Sequence, residues 1–229
     1  MDREQITHSI RSIYGLNMDA EGYLRRFIDF SFRLPQPSTE TFAIYLSNRF
    51  NLEEVYEKSG DYSLRTRLIN TFAKLSGLFH LSLRTQEQCF TEMNVVLRTS
   101  PNLNFFPTVL AFLITLKAYS SVLYEKLHSE FLDIDELLGL FRNSKNGVAF
   151  LNKDGLEIEA ALMIDYLPED ELRKKITAYK EIASDGTNPN HKRMYNLVEN
   201  ILPFTRRNEI KSLIARIDIA QEFRPISNK

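Results

Sequence analysis

The sequence predicts a mainly α fold, because apolar residues recur at helical spacing along most of the chain. The period of two that is typical of a strand stands out in one short run, residues 30–34. With 229 residues and 43% hydrophobic content, the chain can bury a sizeable core in one large domain or two small ones. This composition excludes a wholly disordered protein.

Helical spacing predicts helices at residues 3–14, 19–26, 41–50, 62–79, 85–98, 106–127, 133–141, 156–166, 169–183, 191–202 and 206–220. Gly15 suits the end of the first helix, and Asp19 and Asp133 suit the starts of two others as N-caps. Turn residues at 152–155 and a polar loop at 184–190 separate later helices.

The most apolar stretch, residues 105–116, is predicted to be a buried core helix. Its twelve residues are fewer than the roughly 20 that a membrane-spanning helix needs, so no transmembrane segment is expected. Core membership is expected for five large apolar residues: Phe72, Leu97, Phe112, Leu113 and Leu116.

The predicted strand at residues 30–34 directly follows a charged helix end. Phe30 and Phe32 alternate with polar residues, and Pro35 and Pro37 prevent further pairing. A single strand leaves its edge unpaired, so we expect self-association or aggregation at micromolar concentration unless a partner chain is present. The substitution Phe32→Lys should reduce that association, because a charge at an edge opposes strand pairing.

The run from Asp19 to Pro35 resembles the late part of the nucleotide-binding core in the KAP family of P-loop NTPases, relatives of the AAA+ and STAND ATPases. In that family a helix ends in arginine and leads into the last core strand, which closes with Leu-Pro. The P-loop pattern G-x-x-x-x-G-K-[ST] does not occur in this sequence. The resemblance therefore implies the rear portion of such an NTPase, without the part that grips phosphate and magnesium.

The resemblance implies three segments: a remnant of the α/β NTPase core at residues 1–37, a helical lid-like domain at 38–130, and a helical C-terminal region at 131–229. It also implies catalytic, arginine-finger-like roles for Arg25 and Arg26, since a guanidinium neutralises charge on a transferred phosphoryl group. The alternative is a pair of surface arginines at the end of an amphipathic helix.

Arg84 follows Ser82, a residue suited to cap a helix, and matches by its order along the chain the sensor-2 arginine of AAA+ lids, which contacts bound nucleotide. The alternative is an ion pair with a nearby carboxylate such as Glu87. The four histidines lack metal-ligand spacing, and no C-x-x-C motif occurs, so no metal site is predicted. Cys89 is expected to be a buried small hydrophobic residue.

A net charge of −1 argues against a general binder of nucleic acids or membrane surfaces. Basic clusters at residues 173–175, 191–193 and 206–207 are interpreted as solvated helix faces, with contact to phosphate or nucleic acid as the alternative. The single cysteine excludes an internal disulfide and agrees with a reducing cytoplasm, where we expect the protein to reside.

The leading hypothesis is an incomplete KAP-type NTPase segment that cannot hydrolyse ATP alone and binds no cofactor by itself. ATP and magnesium are implied for a full-length family member, and the expected partners are a second copy or a chain that supplies the P-loop. A truncated gene product is equally compatible with these residues. The competing hypothesis is a helical protein-interaction module with no nucleotide role.

Overall fold

The computed structural model describes residues 3–27, 35–57, 62–100, 107–128, 132–184, 189–201 and 209–222. Within these ranges the chain forms fourteen helices and no strand, which confirms the mainly α class. The helices are α1 (Arg3–Tyr14), α2 (Ala20–Leu24), α3 (Thr39–Arg49), α4 (Leu52–Glu57), α5 (Tyr62–Leu78), α6 (Leu83–Thr99), α7 (Pro107–Tyr119), α8 (Ser121–Lys126), α9 (Ile134–Arg142), α10 (Gly147–Leu151), α11 (Leu156–Tyr166), α12 (Glu169–Ser184), α13 (Pro189–Ile201) and α14 (Glu209–Glu222). The predicted strand at 30–34 lies outside the described residues.

The chain divides into two compact units, Met1–Pro37 and Ser38–Lys229. In the first unit α1 and α2 enclose a small apolar core of Ile10, Ala20 and Leu24. Asp19 caps α2 as predicted: its side chain accepts a hydrogen bond of 2.9 Å from the backbone N–H of Gly22. The helix ends at Leu24, two residues before the predicted end at Arg26.

Helix α7 lies at the centre of the core of the second unit. Every residue from Pro107 to Leu116 is buried. A helix that is apolar on all sides must be enclosed by other elements, and α7 packs against α5, α6, α8, α11 and α14. The prediction of a buried core helix is confirmed, and each of the five expected core residues is at most 2% exposed. No helix in the described ranges has both the length and the apolar character needed to cross a membrane.

The segments 38–130 and 131–229 share one hydrophobic core. Helix α11 packs against α7 as well as α9, α13 and α14, and α14 packs against α6 and α7. Two polar contacts also fix α14: the Lys117 ammonium lies 3.0 Å from the Asp218 carboxylate, and the Arg216 guanidinium donates a 2.6 Å hydrogen bond to the Ser100 hydroxyl.

The helix set differs from the sequence prediction in several features. The single helix predicted at 106–127 is wrong: Ser120 has an extended backbone, and its hydroxyl accepts a hydrogen bond from the N–H of Leu123, which starts α8. The short helices α4 and α10 were not predicted. Helices α3 and α6 each begin two residues before the predicted bounds, with Ser38 and Ser82 as their N-caps. The cap at Ser82 agrees with the sequence analysis, which described Ser82 as suited to cap a helix.

Candidate functional site

The structure places Arg25 and Arg26 in the first unit, directly after α2. Both side chains are exposed. Arg25 lies 4.0 Å from Glu21, one helical turn earlier, in a pair whose arginine side chain is 74% exposed. Such surface pairs contribute little to stability, so neither arginine is required by the packing of this unit. The arginine-finger role stays a prediction.

Arg84 lies in the second unit, in the first turn of α6, where it is exposed. The alternative of an ion pair with Glu87 is not what the structure has, because Glu87 pairs with Arg49 at 2.6 Å. No other residue of the described part of the chain forms an ion pair with Arg84. Its guanidinium is therefore available to an anion, and its sensor role stays a prediction.

Metal and thiol chemistry receive no support from the described residues. They contain no group of three His, Cys, Asp or Glu side chains that could hold a metal ion. Cys89 is 2% exposed in the core beside Phe90, as predicted for a buried small hydrophobic residue.

The second unit has a surface groove of about 1220 Å³ that the sequence did not predict. It runs between the start of α3 and the end of α5 on one side and α9 and α10 on the other. The groove is lined by Thr39, Glu40, Ala73, Lys74, Gly77, Leu78, His80, Tyr119, Glu136, Gly139, Leu140, Asn143, Ser144, Lys145, Asn146, Ala149, Phe150, Lys153 and Asp154.

The turn between α9 and α10 shapes one wall of the groove. Asn146 adopts a left-handed conformation with φ of 67°, which asparagine tolerates better than most residues. Gly147 approaches the preceding helix so closely that a Cβ at this position would lie 1.9 Å from the carbonyl oxygen of Phe141. Only glycine fits there. Phe150, three residues later, lines the groove, and the centroid of its ring lies 5.4 Å from that of the stacked Phe141 ring.

Apolar side chains form much of the groove surface. Leu78, Leu140 and Phe150 belong to the core or pack against it, and all three line the groove. Tyr119 is 48% exposed at the edge, and its ring stacks on Phe79 at 4.6 Å between centroids. A ligand in the groove would therefore gain apolar contacts on surfaces that are already fixed by the core.

A smaller polar pocket of about 460 Å³ adjoins the groove and shares Lys74, Lys153 and Asp154 with it. The polar pocket is lined by Arg67, Asn70, Thr71, Lys74, Thr108, Lys153, Asp154, Leu156, Glu157, Arg193, Asn196 and Leu197. Two internal ion pairs organise it. Arg67 pairs with Glu157, which also accepts a hydrogen bond from Thr108, and Lys74 lies 2.5 Å from Asp154.

Around the groove and the polar pocket, the charged side chains that form no ion pair among the described residues are mainly positive. Lys145, Lys153 and Arg193 are exposed and form no ion pair with the described residues. Of the remaining carboxylates, Glu136 pairs with Lys126 at 2.6 Å. Hydrogen bonds from its own backbone N–H and from the Ser38 side chain lower the pKa of Glu40. This carboxylate therefore already accepts hydrogen bonds at the N-terminus of α3.

A second group of titratable side chains lies among α9, α11, α12 and α13. Burial raises the pKa of Glu159, against the favourable charges of Arg142 and Lys175. Burial, together with the negative charge of Glu159, raises the pKa of Tyr179 to about 12, and the ring of Tyr179 lies 5.5 Å from that of His191. Glu159, Tyr179 and His191 line neither the groove nor the polar pocket, so we treat them as determinants of stability.

Comparison of the chain with protein-family models, curated proteins and solved structures gave no significant match. The function must therefore be argued from the site itself.

The sequence analysis did not single out Lys145, and it interpreted Lys153 only as a turn residue. Arg193 belongs to the basic cluster at 191–193, which was interpreted as a solvated helix face with contact to phosphate or nucleic acid as the alternative. One local signal was available: Arg67 and Lys74 are seven residues apart, which places two cations on one face of α5. Which other elements meet that face depends on tertiary packing.

Proposed function

We propose that the chain is a helical protein-interaction module whose groove binds an acidic, partly apolar peptide segment of another protein. The observation that carries this proposal is the groove of about 1220 Å³, with apolar surface fixed by the core and with two lining lysines, Lys145 and Lys153, that form no ion pair among the described residues. Small-molecule pockets typically measure about 300–1,000 Å³, so an extended peptide suits this volume better.

The charge pattern selects the chemistry of the peptide. Lys145 and Lys153 have no carboxylate partner among the described residues, so acidic side chains of a ligand can approach them without breaking an existing pair. Leu78, Leu140 and Tyr119 offer contacts for apolar side chains between the acidic ones. Complementary charge speeds association and selects the partner, while apolar burial supplies most of the affinity.

Fluorescence anisotropy with a labelled Glu/Leu-rich peptide tests the proposal, with a Lys/Leu peptide of equal length as the probe control. We expect the acidic peptide to bind at moderate salt and Lys145→Glu to weaken it about tenfold. Lys174→Glu is the matched control, because Lys174 is exposed on α12 and lines neither concavity.

Three outcomes would contradict the peptide proposal. The first is an equal response to the acidic and basic peptides. The second is a dimer in sedimentation experiments that Lys145→Glu dissociates, which would make the occupant a second copy of the chain. The third is tighter binding of a single-stranded oligonucleotide than of the acidic peptide.

A second candidate function is the lid-like part of an incomplete KAP-type NTPase. The specific observation in its favour is the exposed Arg84 guanidinium in the first turn of α6, without an ion-pair partner in the described ranges. Because the sequence lacks a P-loop pattern, we expect Mg-ATP to bind the chain alone only weakly, with Kd of about 1 mM.

Thermal unfolding with millimolar Mg-ATP tests this second candidate. A stabilisation that Arg84→Gln removes and Arg98→Gln keeps is the expected result, since Arg98 lies at the opposite end of the same helix. Stabilisation that persists in Arg84→Gln, or no stabilisation at all, would remove Arg84 from any nucleotide role. Turnover of ATP by the chain alone would contradict the idea of an incomplete enzyme.

A further inference from the structure

Among the described residues that line the polar pocket, positive charges exceed negative charges by two. Four cationic side chains of this described lining come from α5, from α13 and from the turn before α11. The two carboxylates of the lining are already engaged, Glu157 with Arg67 and Asp154 with Lys74. Lys153 and Arg193 are therefore the charges that a ligand would neutralise.

We infer that the polar pocket binds a phosphomonoester dianion, presented as a phosphorylated side chain of the peptide in the groove. This inference rests on the proposed peptide-binding function, and it adds the modification that the peptide carries. The groove and the polar pocket meet at Lys74, Lys153 and Asp154, so a peptide in the groove can extend a side chain into the polar pocket without leaving its site.

Charge and donor geometry favour a phosphate group over a single carboxylate. A phosphomonoester carries nearly two negative charges at neutral pH and has three strong acceptor oxygens. Arg193 provides a planar guanidinium that can donate two hydrogen bonds to one phosphate, and Lys153 provides a mobile ammonium. The amides of Asn70 and Asn196 lie in the same lining and supply uncharged donors.

The two internal ion pairs give the polar pocket its shape before a ligand arrives. Arg67 on α5 is held by Glu157 on α11, and Thr108 on α7 donates to the same carboxylate, so three helices converge at this point. Lys74 and Asp154 join α5 to the turn before α11 in the same way. These contacts preorganise the polar pocket. Binding of a ligand phosphate therefore needs to order only the side chains of Lys153 and Arg193.

The test uses three peptides that are identical except at one central position, which is phosphoserine, glutamate or serine. Calorimetry on the full chain should show the phosphoserine peptide binding about tenfold more tightly than the serine peptide, with the glutamate peptide between them. Arg193→Gln should weaken the phosphoserine peptide far more than the serine peptide, so that most of the phosphoserine preference is lost. Lys192→Gln, an exposed neighbour on the same helix that lines neither concavity, should keep the preference.

A second variant, which removes a negative charge from the lining instead of a positive one, sharpens the test. Asp154→Asn removes one negative charge from the lining and should tighten the phosphoserine peptide, whereas a merely structural role for Asp154 would weaken all three peptides equally. Equal affinity for the three peptides would overturn the phosphate inference and leave the peptide groove in place.

Phenyl phosphate and AMP, titrated without peptide, separate the remaining outcomes. Arg193-dependent binding of phenyl phosphate, combined with failure of every peptide, would keep the anion site and overturn the peptide groove on which the inference rests. AMP binding more tightly than the phosphoserine peptide would identify a nucleotide as the source of the phosphate and overturn the assignment to a peptide side chain.

Discussion

The role of α7 as the centre of the core predicts a large penalty for Leu113→Ala. Leu113 is 0% exposed and is surrounded by other buried residues of the same cluster. Its replacement removes three carbon atoms from the core, a transfer loss of about 2 kcal/mol, and the cavity that remains adds a further term. Together these give a loss of roughly 3–4 kcal/mol in the free energy of unfolding.

Urea unfolding followed by far-ultraviolet circular dichroism measures this loss. With a denaturant dependence of about 2 kcal/mol/M, the midpoint should fall by roughly 1.5–2 M urea. Val122→Ala on α8 is the matched control, because Val122 is 69% exposed and should change stability by less than about 0.5 kcal/mol. A loss for Leu113→Ala below about 1 kcal/mol would refute the reasoning that α7 is enclosed on all sides.

Further predictions concern charge and backbone geometry. Asp218→Asn should lower the free energy of unfolding by about 1–3 kcal/mol, because the Lys117 side chain, which is 11% exposed, loses its charged partner. Adding Lys117→Met should restore part of this loss. Equal unfolding midpoints for Asp218→Asn and the parent protein would contradict a stabilising pair. The raised pKa of Glu159 means that the folded state binds the proton more tightly, so stability should fall as pH rises from the ordinary glutamate pKa through the raised value. In thermal unfolding, Glu159→Gln should therefore flatten the dependence of melting temperature on pH. An unchanged dependence would contradict the assignment of this effect to Glu159. Gly147→Ala should lower the melting temperature, because the added Cβ would meet backbone atoms. Gly139→Ala within α9 is the control: its Cβ would meet nothing within 4 Å, so the free energy of unfolding should rise by about 0.5–1 kcal/mol. A more stable Gly147→Ala than Gly139→Ala would contradict the close approach at Gly147.

Local signals in the sequence were sufficient for several helices. The bounds of α1 and α11 were predicted correctly, because Gly15 ends the first and the turn at 152–155 precedes the second. The break at Ser120 was missed because no proline or glycine marks it and apolar residues continue on both sides. Helices α4 and α10, with six and five residues, are too short to show a helical period.

The candidate site was much less predictable than the helices. Its lining combines side chains from α3, α5, α9 and α10, and no short motif joins them along the sequence. The sequence also did not reveal which ion pairs form. Helical spacing allows Glu87 to pair with Arg84, three residues earlier, yet Glu87 pairs with Arg49 on α3. Sequence patterns identify charged residues, whereas tertiary packing decides which charges remain unpaired.

The docking of α14 against α6 and α7 has a consequence for synthesis of the chain. At roughly 5–20 residues per second, the stretch of about ninety residues between α7 and α14 takes on the order of 5–20 s to translate. During that time the surfaces of α6 and α7 that α14 covers in the folded chain lack this cover. Nascent chains stalled before α14 should therefore recruit hydrophobic-binding chaperones, and full-length chains should release them once α14 has emerged from the ribosome.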